Sequence, residues 1–231
     1  MKKLLAGLSA AVILLALAGP APAQSDRDLA LAIYKNFQAG QTLPLASQMR
    51  PGLTLAQAYG VQTALVALFR SHEDQVAGYK AGLTSQAVQQ RFGAKGPALG
   101  VLMASMRRYK VVKRTDYRNL ALEVEIAYLL GKPISQPVTH RTVRQYVLGI
   151  APAVELPDLA YADMAAVTLP DIVAANVVCR GFILGPMVRA DKLDPNATQG
   201  QLWRGGKPLT PAVGAKAALG SQWEALAWTV N

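Results

Sequence analysis

The segment Leu120-Ala121-Leu122-Glu123-Val124-Glu125-Ile126-Ala127-Tyr128 constrains the fold more than any other part of the chain. It alternates with period two, so a strand puts Leu122, Val124, Ile126 and Tyr128 on one face and Ala121, Glu123, Glu125 and Ala127 on the other. Gly131-Lys132-Pro133 stops it. Two carboxylates at this spacing, flanked by small apolar side chains, repel each other and lose hydration. A divalent cation offsets both costs, and an all-oxygen donor set points to Mg²⁺ or Mn²⁺. A solvent-facing edge strand with two exposed glutamates fits the same spacing. Glutamate is scarce elsewhere, occurring only as Glu73, Glu155 and Glu224. Of these, Glu155 sits in the apolar stretch Ala151-Pro152-Ala153-Val154-Glu155-Leu156-Pro157 and is the natural third carboxylate. Its alternative is a buried, ion-paired glutamate.

The rest of the sequence bounds what can surround such a strand. With 231 residues, 52% hydrophobic and 16% charged, the chain suits one domain with a sizeable core. One cysteine excludes an internal disulfide framework, and two histidines leave little room for a His-rich zinc site. Cys179 has apolar neighbours and reads as a buried, inert thiol. Lys2 and Lys3, the uncharged run 4–18 and Gly19-Pro20-Ala21-Pro22-Ala23 read as a secretory signal peptide over 1–23. The product, 24–231, is expected to be exported, periplasmic or secreted, with no stable membrane insertion. The net charge of +10 concentrates in Arg107, Arg108, Lys110, Lys113, Arg114 and Arg118. No DNA-reading motif accompanies it, so nucleic acid is not an expected partner, and attraction of small anionic substrates is the milder reading.

Local patterns predict a mixed α and β single domain without repeats or linkers. Ser25 caps a helix over 26–38, and Thr54 caps a second over 55–72. A strand is expected over 75–80, then a turn into a helix reaching Phe92, extended chain over 99–103 and the main strand over 119–130. Further on come a helix over 142–148, a strand over 153–156, a helix start over 171–177, a strand over 182–184 and mostly helix over 215–230. Lys80 falls at a strand end before a glycine turn, where a surface lysine is the plain reading.

Several segments nevertheless match one family in order. Gly78-Tyr79-Lys80-Ala81-Gly82-Leu83-Thr84-Ser85 resembles the G-x-K-x-G-L-T-S segment of the 2-keto-4-pentenoate hydratases, a family that includes the 4-oxalocrotonate decarboxylases and is related to fumarylacetoacetate hydrolase. Glu123-Val124-Glu125-Ile126-Ala127 is similar to its E-x-E-I-A strand, and Val154-Glu155-Leu156 to its single-glutamate strand. Asp171-Ile172-Val173-Ala174-Ala175-Asn176, Gly181-Phe182-Ile183-Leu184-Gly185 and Ala217-Ala218-Leu219-Gly220 follow its later segments. The likeness runs from about Asp26 to the last residue.

The resemblance implies an α+β fold, a mixed β-sandwich roll with peripheral helices of the fumarylacetoacetate-hydrolase type. It implies Mg²⁺ or Mn²⁺ held by Glu123, Glu125 and Glu155, with Lys80 as catalytic residue, its pKa lowered for proton transfer. Thr84, Ser85, Asn176 and Arg180 become substrate-binding candidates. The implied reaction is hydration, or decarboxylation, of short 2-oxo and 2-hydroxydienoic acids such as 2-hydroxypenta-2,4-dienoate. Three departures stand out: Ala98 replaces an acidic residue, Val177, Val178 and Cys179 replace small hydroxyl residues, and an export signal precedes the domain. The matching segments also stop short of the family's last strands, so an open sheet edge and a homo-oligomer are expected. The alternative function is an exported, non-catalytic relative that binds a metal and a 2-oxo acid or dicarboxylate. C–C bond hydrolysis is disfavoured because His72 and His140 lie outside any matching context, and an esterase because no G-x-S-x-G occurs.

Overall fold

The computed structural model describes residues 24–109 and 111–231; the expected signal peptide, 1–23, lies outside them. Helix α1 spans Asp26–Gln38 and α3 spans Leu55–Ser71, with the single turn α2, Ala46–Met49, between them. Both long helices start at reciprocal capping boxes, Ser25 with Asp28 and Thr54 with Gln57, which satisfy otherwise orphaned N–H groups. Their apolar stripes pack together through Leu29, Ala30 and Ile33 against Ala58, Val61, Leu65 and Phe69. Tyr34 and Phe37 meet Phe69 edge-on at ring-centroid distances of 5.2 and 5.3 Å.

Two sheets follow. Strand β1, Val76–Gly82, pairs antiparallel with β2, Ala98–Met103, and α4, Gln86–Phe92, fills the connection after a Ser85 cap. Strand β3, Glu123–Leu130, pairs with β4, Val147–Pro157, and β4 pairs with β5, Cys179–Leu184; the short β6, Val188–Arg189, adds to β4. Among the described residues no strand pairs with the outer edge of β3. Helix α5, Leu169–Ala174, packs on α3, and Gln62 in α3 links the two layers by donating to the carbonyls of Leu99 and Val173 at 2.8 and 3.3 Å. Asp171 is buried without being reactive, because its two oxygens accept from the N–H and hydroxyl groups of Ser47 and Thr168. A second core cluster, built on Val143, Ile150, Trp223 and Leu226, includes Ile126 and Tyr128 from the apolar face of β3. Helix α6, Gln222–Val230, supplies Trp223 and Leu226. No helix among the described residues is long and apolar enough to cross a membrane.

Two expectations need correction. The helix over 142–148 is a single 3₁₀ turn, Val143–Tyr146, and Val147 and Leu148 already belong to the long strand β4. Helix over 215–230 breaks into a short turn and α6, because Leu219 and Gly220 both take positive φ, 50° and 76°.

Candidate metal centre and active site

Antiparallel pairing sets Glu123 directly opposite Glu155 and Glu125 opposite Ala153, so the three carboxylates share one face of the sheet. One oxygen from each lies within 4.8 Å of the others. The β1–β2 ribbon lies over this face and delivers Lys80, whose Nζ donates to both oxygens of Glu155 at 2.5 and 2.6 Å and to the carbonyl of Val177 at 3.4 Å. Glu155 is 5% exposed, while Glu123 reaches solvent and Glu125 lies between.

The charges show how crowded the face is. Burial first, and then repulsion by Glu155, pushes Glu125 up to about 7, with Lys80 opposing. Burial also raises Glu123, against the pull of Lys80. For Lys80 burial favours the neutral amine, but Glu155, with smaller help from Glu123, overcomes it and holds the ammonium above its ordinary value. The lowered lysine pKa expected for proton transfer is therefore not what this geometry produces. Three oxygen donors whose mutual repulsion one lysine offsets only in part are chemically suited to a hard divalent cation, so the residues present fit Mg²⁺ or a similar ion.

Close backbone approach makes the arrangement possible. Lys80 pairs with Gly100, and a Cβ on Gly100 would stand 3.0 to 3.3 Å from Cγ, Cδ and Cε of the lysine. A Cβ on Gly82 would come 2.5 Å from Cγ1 of Val177. Asn176, Val177 and Val178 all have φ between 51° and 57°, a left-handed turn that β-branched residues resist. Asn176 holds it in place: its Oδ1 accepts from Val101 N–H at 2.7 Å and its Nδ2 donates to the Val101 carbonyl at 2.8 Å.

The structure thus brings Glu123, Glu125, Glu155 and Lys80 together, while the side chains of Asn176, Arg180 and Ser85 have partners of their own. The Asn176 carboxamide is committed at both ends to Val101 and is buried. Arg180 donates to the carbonyl of Phe37 at 2.7 Å, with its guanidinium 4.0 Å from the Phe37 ring centroid, against α1. The Ser85 hydroxyl caps α4, and the Thr84 carbonyl accepts from Leu219. Ala98 is buried at the end of the ribbon, opposite Gly82. Cys179 is buried as expected, and it lies close enough to Glu155 to feel its charge, a proximity for which the sequence holds no local signal. Burial, then Glu155, keeps its thiol protonated. His72 caps α3, and His140 pairs with Glu224 at 2.7 Å.

An α+β domain presenting three convergent carboxylates and a lysine defines a protein equipped to hold a divalent cation. No family model matches the chain. It is 30% identical over 213 residues, 90% of this chain and 80% of the relative, to a 2-keto-4-pentenoate hydratase of Burkholderia vietnamiensis. It is 29% identical over 206 residues, 86% of this chain and 77% of the relative, to a 2-hydroxyhexa-2,4-dienoate hydratase of Comamonas testosteroni. Its fold matches a 4-oxalocrotonate decarboxylase from Pseudomonas putida G7, solved with magnesium and adipate, at a TM-score of 0.84 and 23% identity, covering 89% of this chain and 79% of that one. The chain belongs to the 2-keto-4-pentenoate hydratase family.

Proposed function

We propose that the protein is a divalent-metal-dependent lyase of short 2-oxo and 2-hydroxydienoic acids, with hydration of the 2-hydroxypenta-2,4-dienoate type as its reaction. The observation that carries this reading is the convergence of Glu123, Glu125 and Glu155 beside Lys80 in a member of a family whose relatives are hydratases. Glu123, Glu125 and Glu155 would hold Mg²⁺ or Mn²⁺, which supplies Lewis-acid stabilisation of enolate charge at the 2-oxo oxygen. Lys80 contributes an ammonium at Nζ, fixed by Glu155 and the Val177 carbonyl, that can neutralise a substrate carboxylate or a developing enolate. Phe182, paired with Glu155 in the sheet, and Cys179 are both buried beside the site. The test is loss of dienol absorbance from 2-hydroxypenta-2,4-dienoate and related acids with Mg²⁺ and with EDTA. Absence of metal-dependent turnover across the panel sinks the lyase reading.

The second reading, a non-catalytic binder of a metal and a 2-oxo acid, draws support from Ala98, an alkyl side chain where the resemblance implies an acid. Metal and ligand binding without turnover would establish it. Three further parts of the proposal concern the whole chain. The two sheets are taken to form the roll that the resemblance implies. Export is supported by the residue pattern of 1–23 and is tested by N-terminal sequencing, which should begin at Gln24. A homo-oligomer is supported by the outer edge of β3; a monomer in sedimentation would contradict it.

A further inference from the structure

The densest basic stretch of the chain, from Arg107 to Arg118, lies outside the carboxylate site, with the buried Phe182 between them. It is fastened at both ends. At the first, Arg107 bridges Phe182 and the Arg108 N–H donates to the Phe182 carbonyl at 2.8 Å, so the chain runs along the edge of β5 away from β3. At the second, Asp158 accepts from the N–H groups of Arg118 and Asn119 at 3.1 and 2.7 Å, and Tyr117 is buried. Between these anchors Tyr109, Val111 and the residues from Lys113 to Asp116 are exposed.

The cations of this loop lack counter-ions. Ion pairs among the described residues join Arg50 to Asp26, Lys80 to Glu155, His140 to Glu224 and Arg189 to Asp191, and none involves the loop. Its guanidinium groups meet neutral carbonyls instead: Arg108 those of Ser105 and Arg180, Arg114 those of Tyr117 and Arg118, and Arg118 that of Gly40. Carbonyls hold these side chains in place without cancelling their charge. Asp116 is the one acid between the anchors.

The same loop carries Val111 and Tyr109, at 81% and 72% the two most exposed large apolar side chains among the described residues. Single exposed apolar residues are ordinary on a protein surface. An aromatic and an aliphatic side chain set among unpaired cations have instead the composition of a surface that sits in lipid headgroups. At the loop a cleft of about 450 Å³ is lined by Arg107, Arg108, Tyr109, Val111, Ile183 and Leu184. Cations beside aliphatic side chains match the two chemistries of an anionic lipid, phosphate and hydrocarbon. A nucleic-acid strand calls for several stacking platforms, and Tyr109 is the one aromatic ring lining the cleft.

We propose that Arg107, Lys113, Arg114 and Arg118, with Tyr109 and Val111 among them, form a peripheral docking surface for an anionic lipid bilayer. The cations meet the phosphate groups, and the two apolar side chains enter the headgroup layer. Association of this kind lies in the interface plane and spans nothing. Glu123, Glu125 and Glu155 take no part in it.

Co-sedimentation with vesicles tests this, using the chain from Gln24, which contains both core clusters. Wild type should bind phosphatidylcholine vesicles holding about a third phosphatidylglycerol at least about tenfold more tightly than pure phosphatidylcholine, and the preference should vanish at about 0.5 M salt. Each cation near such a surface contributes about 1 kcal/mol, so Arg107→Gln/Lys113→Gln should weaken binding about thirtyfold. Arg107→Lys/Lys113→Arg keeps both charges and should stay within about twofold of wild type. Arg91→Gln/Lys95→Gln removes two charges beyond the other end of β2 and should also stay within about twofold. Tyr109→Ser/Val111→Ser should weaken vesicle binding about fivefold or more and leave retention on heparin, a polyanion without hydrocarbon, unchanged. No preference for anionic vesicles, a loss below about threefold in Arg107→Gln/Lys113→Gln, or an equal loss in Arg91→Gln/Lys95→Gln overturns the surface. Undiminished vesicle binding by Tyr109→Ser/Val111→Ser makes the patch a site for polyanions in general and overturns the lipid assignment.

Discussion

Replacing Lys80 with methionine keeps an unbranched side chain against Gly100 and removes the positive charge. Glu155, 5% exposed, then loses the donor that now touches both of its oxygens at 2.5 and 2.6 Å. Removing one partner of a buried ion pair costs about 3–5 kcal/mol, because the remaining charge is left uncompensated. Total stability of a domain is only about 5–15 kcal/mol. In a chain of this size each kcal/mol moves the melting temperature by about 2–4 °C, so Lys80→Met in EDTA should melt roughly 6–20 °C below wild type. A divalent cation replaces the missing charge, so saturating Mn²⁺ should raise the melting temperature of the variant more than that of wild type. The double variant Lys80→Met/Glu155→Gln removes the stranded charge and should recover most of the loss in EDTA. Differential scanning calorimetry reads all three. If Lys80→Met melts within about 2 °C of wild type in EDTA, against the several degrees expected, the lysine is not the internal counter-ion of the carboxylate cluster.

Three other outcomes follow from the same contacts. Glu125 is raised from an ordinary carboxylate value to about 7, so its contribution to stability is fully present below pH 4.5 and lost as pH rises through about 7. In EDTA, Glu125→Gln should therefore match wild type within about 1 kcal/mol at pH 5 and exceed it by about 2–3 kcal/mol more at pH 8 in urea titrations, and equal stabilities at pH 8 would contradict this origin of the shift. Asn176→Ala strips partners from both the N–H and the carbonyl of Val101, at a cost of about 2–4 kcal/mol by chemical denaturation; an unchanged denaturation midpoint would show that the carboxamide is not holding the turn. Gly82→Ala forces a Cβ to within 2.5 Å of Val177 in a turn already at positive φ, and should cost about 1–3 kcal/mol, whereas neutrality would mean that the turn can relax.

What was legible in the sequence is what local chemistry decides. Ser25 and Thr54 mark helix starts because a cap and its N3 partner are three residues apart, and both boxes form. Alternation over 122–128 places Glu123 and Glu125 on one face because the strand period leaves no other choice. Thr142–Leu148 misled because Val143 and Val147 have helical spacing, while pairing of Val147 with Leu130 and packing of Ile150 draw the chain into β4. The Arg180 side chain was not placeable from its neighbours, since its acceptor, Phe37, is 143 residues away. The same holds for Asn176 with Val101, for Cys179 beside Glu155 and for Arg107 beside Phe182. Each of these contacts is created by strand order, which no local signal encodes.

The account stands most directly on whether Glu123, Glu125 and Glu155 share one cation. Crystals grown with Mn²⁺ and measured at its absorption edge should show one anomalous peak bonded to an oxygen of each of the three, at ligand distances near 2 Å, with Lys80 alongside. A peak elsewhere, a peak that omits Glu155 because the carboxylate stays wholly on Lys80, or no peak at saturating Mn²⁺ would contradict it.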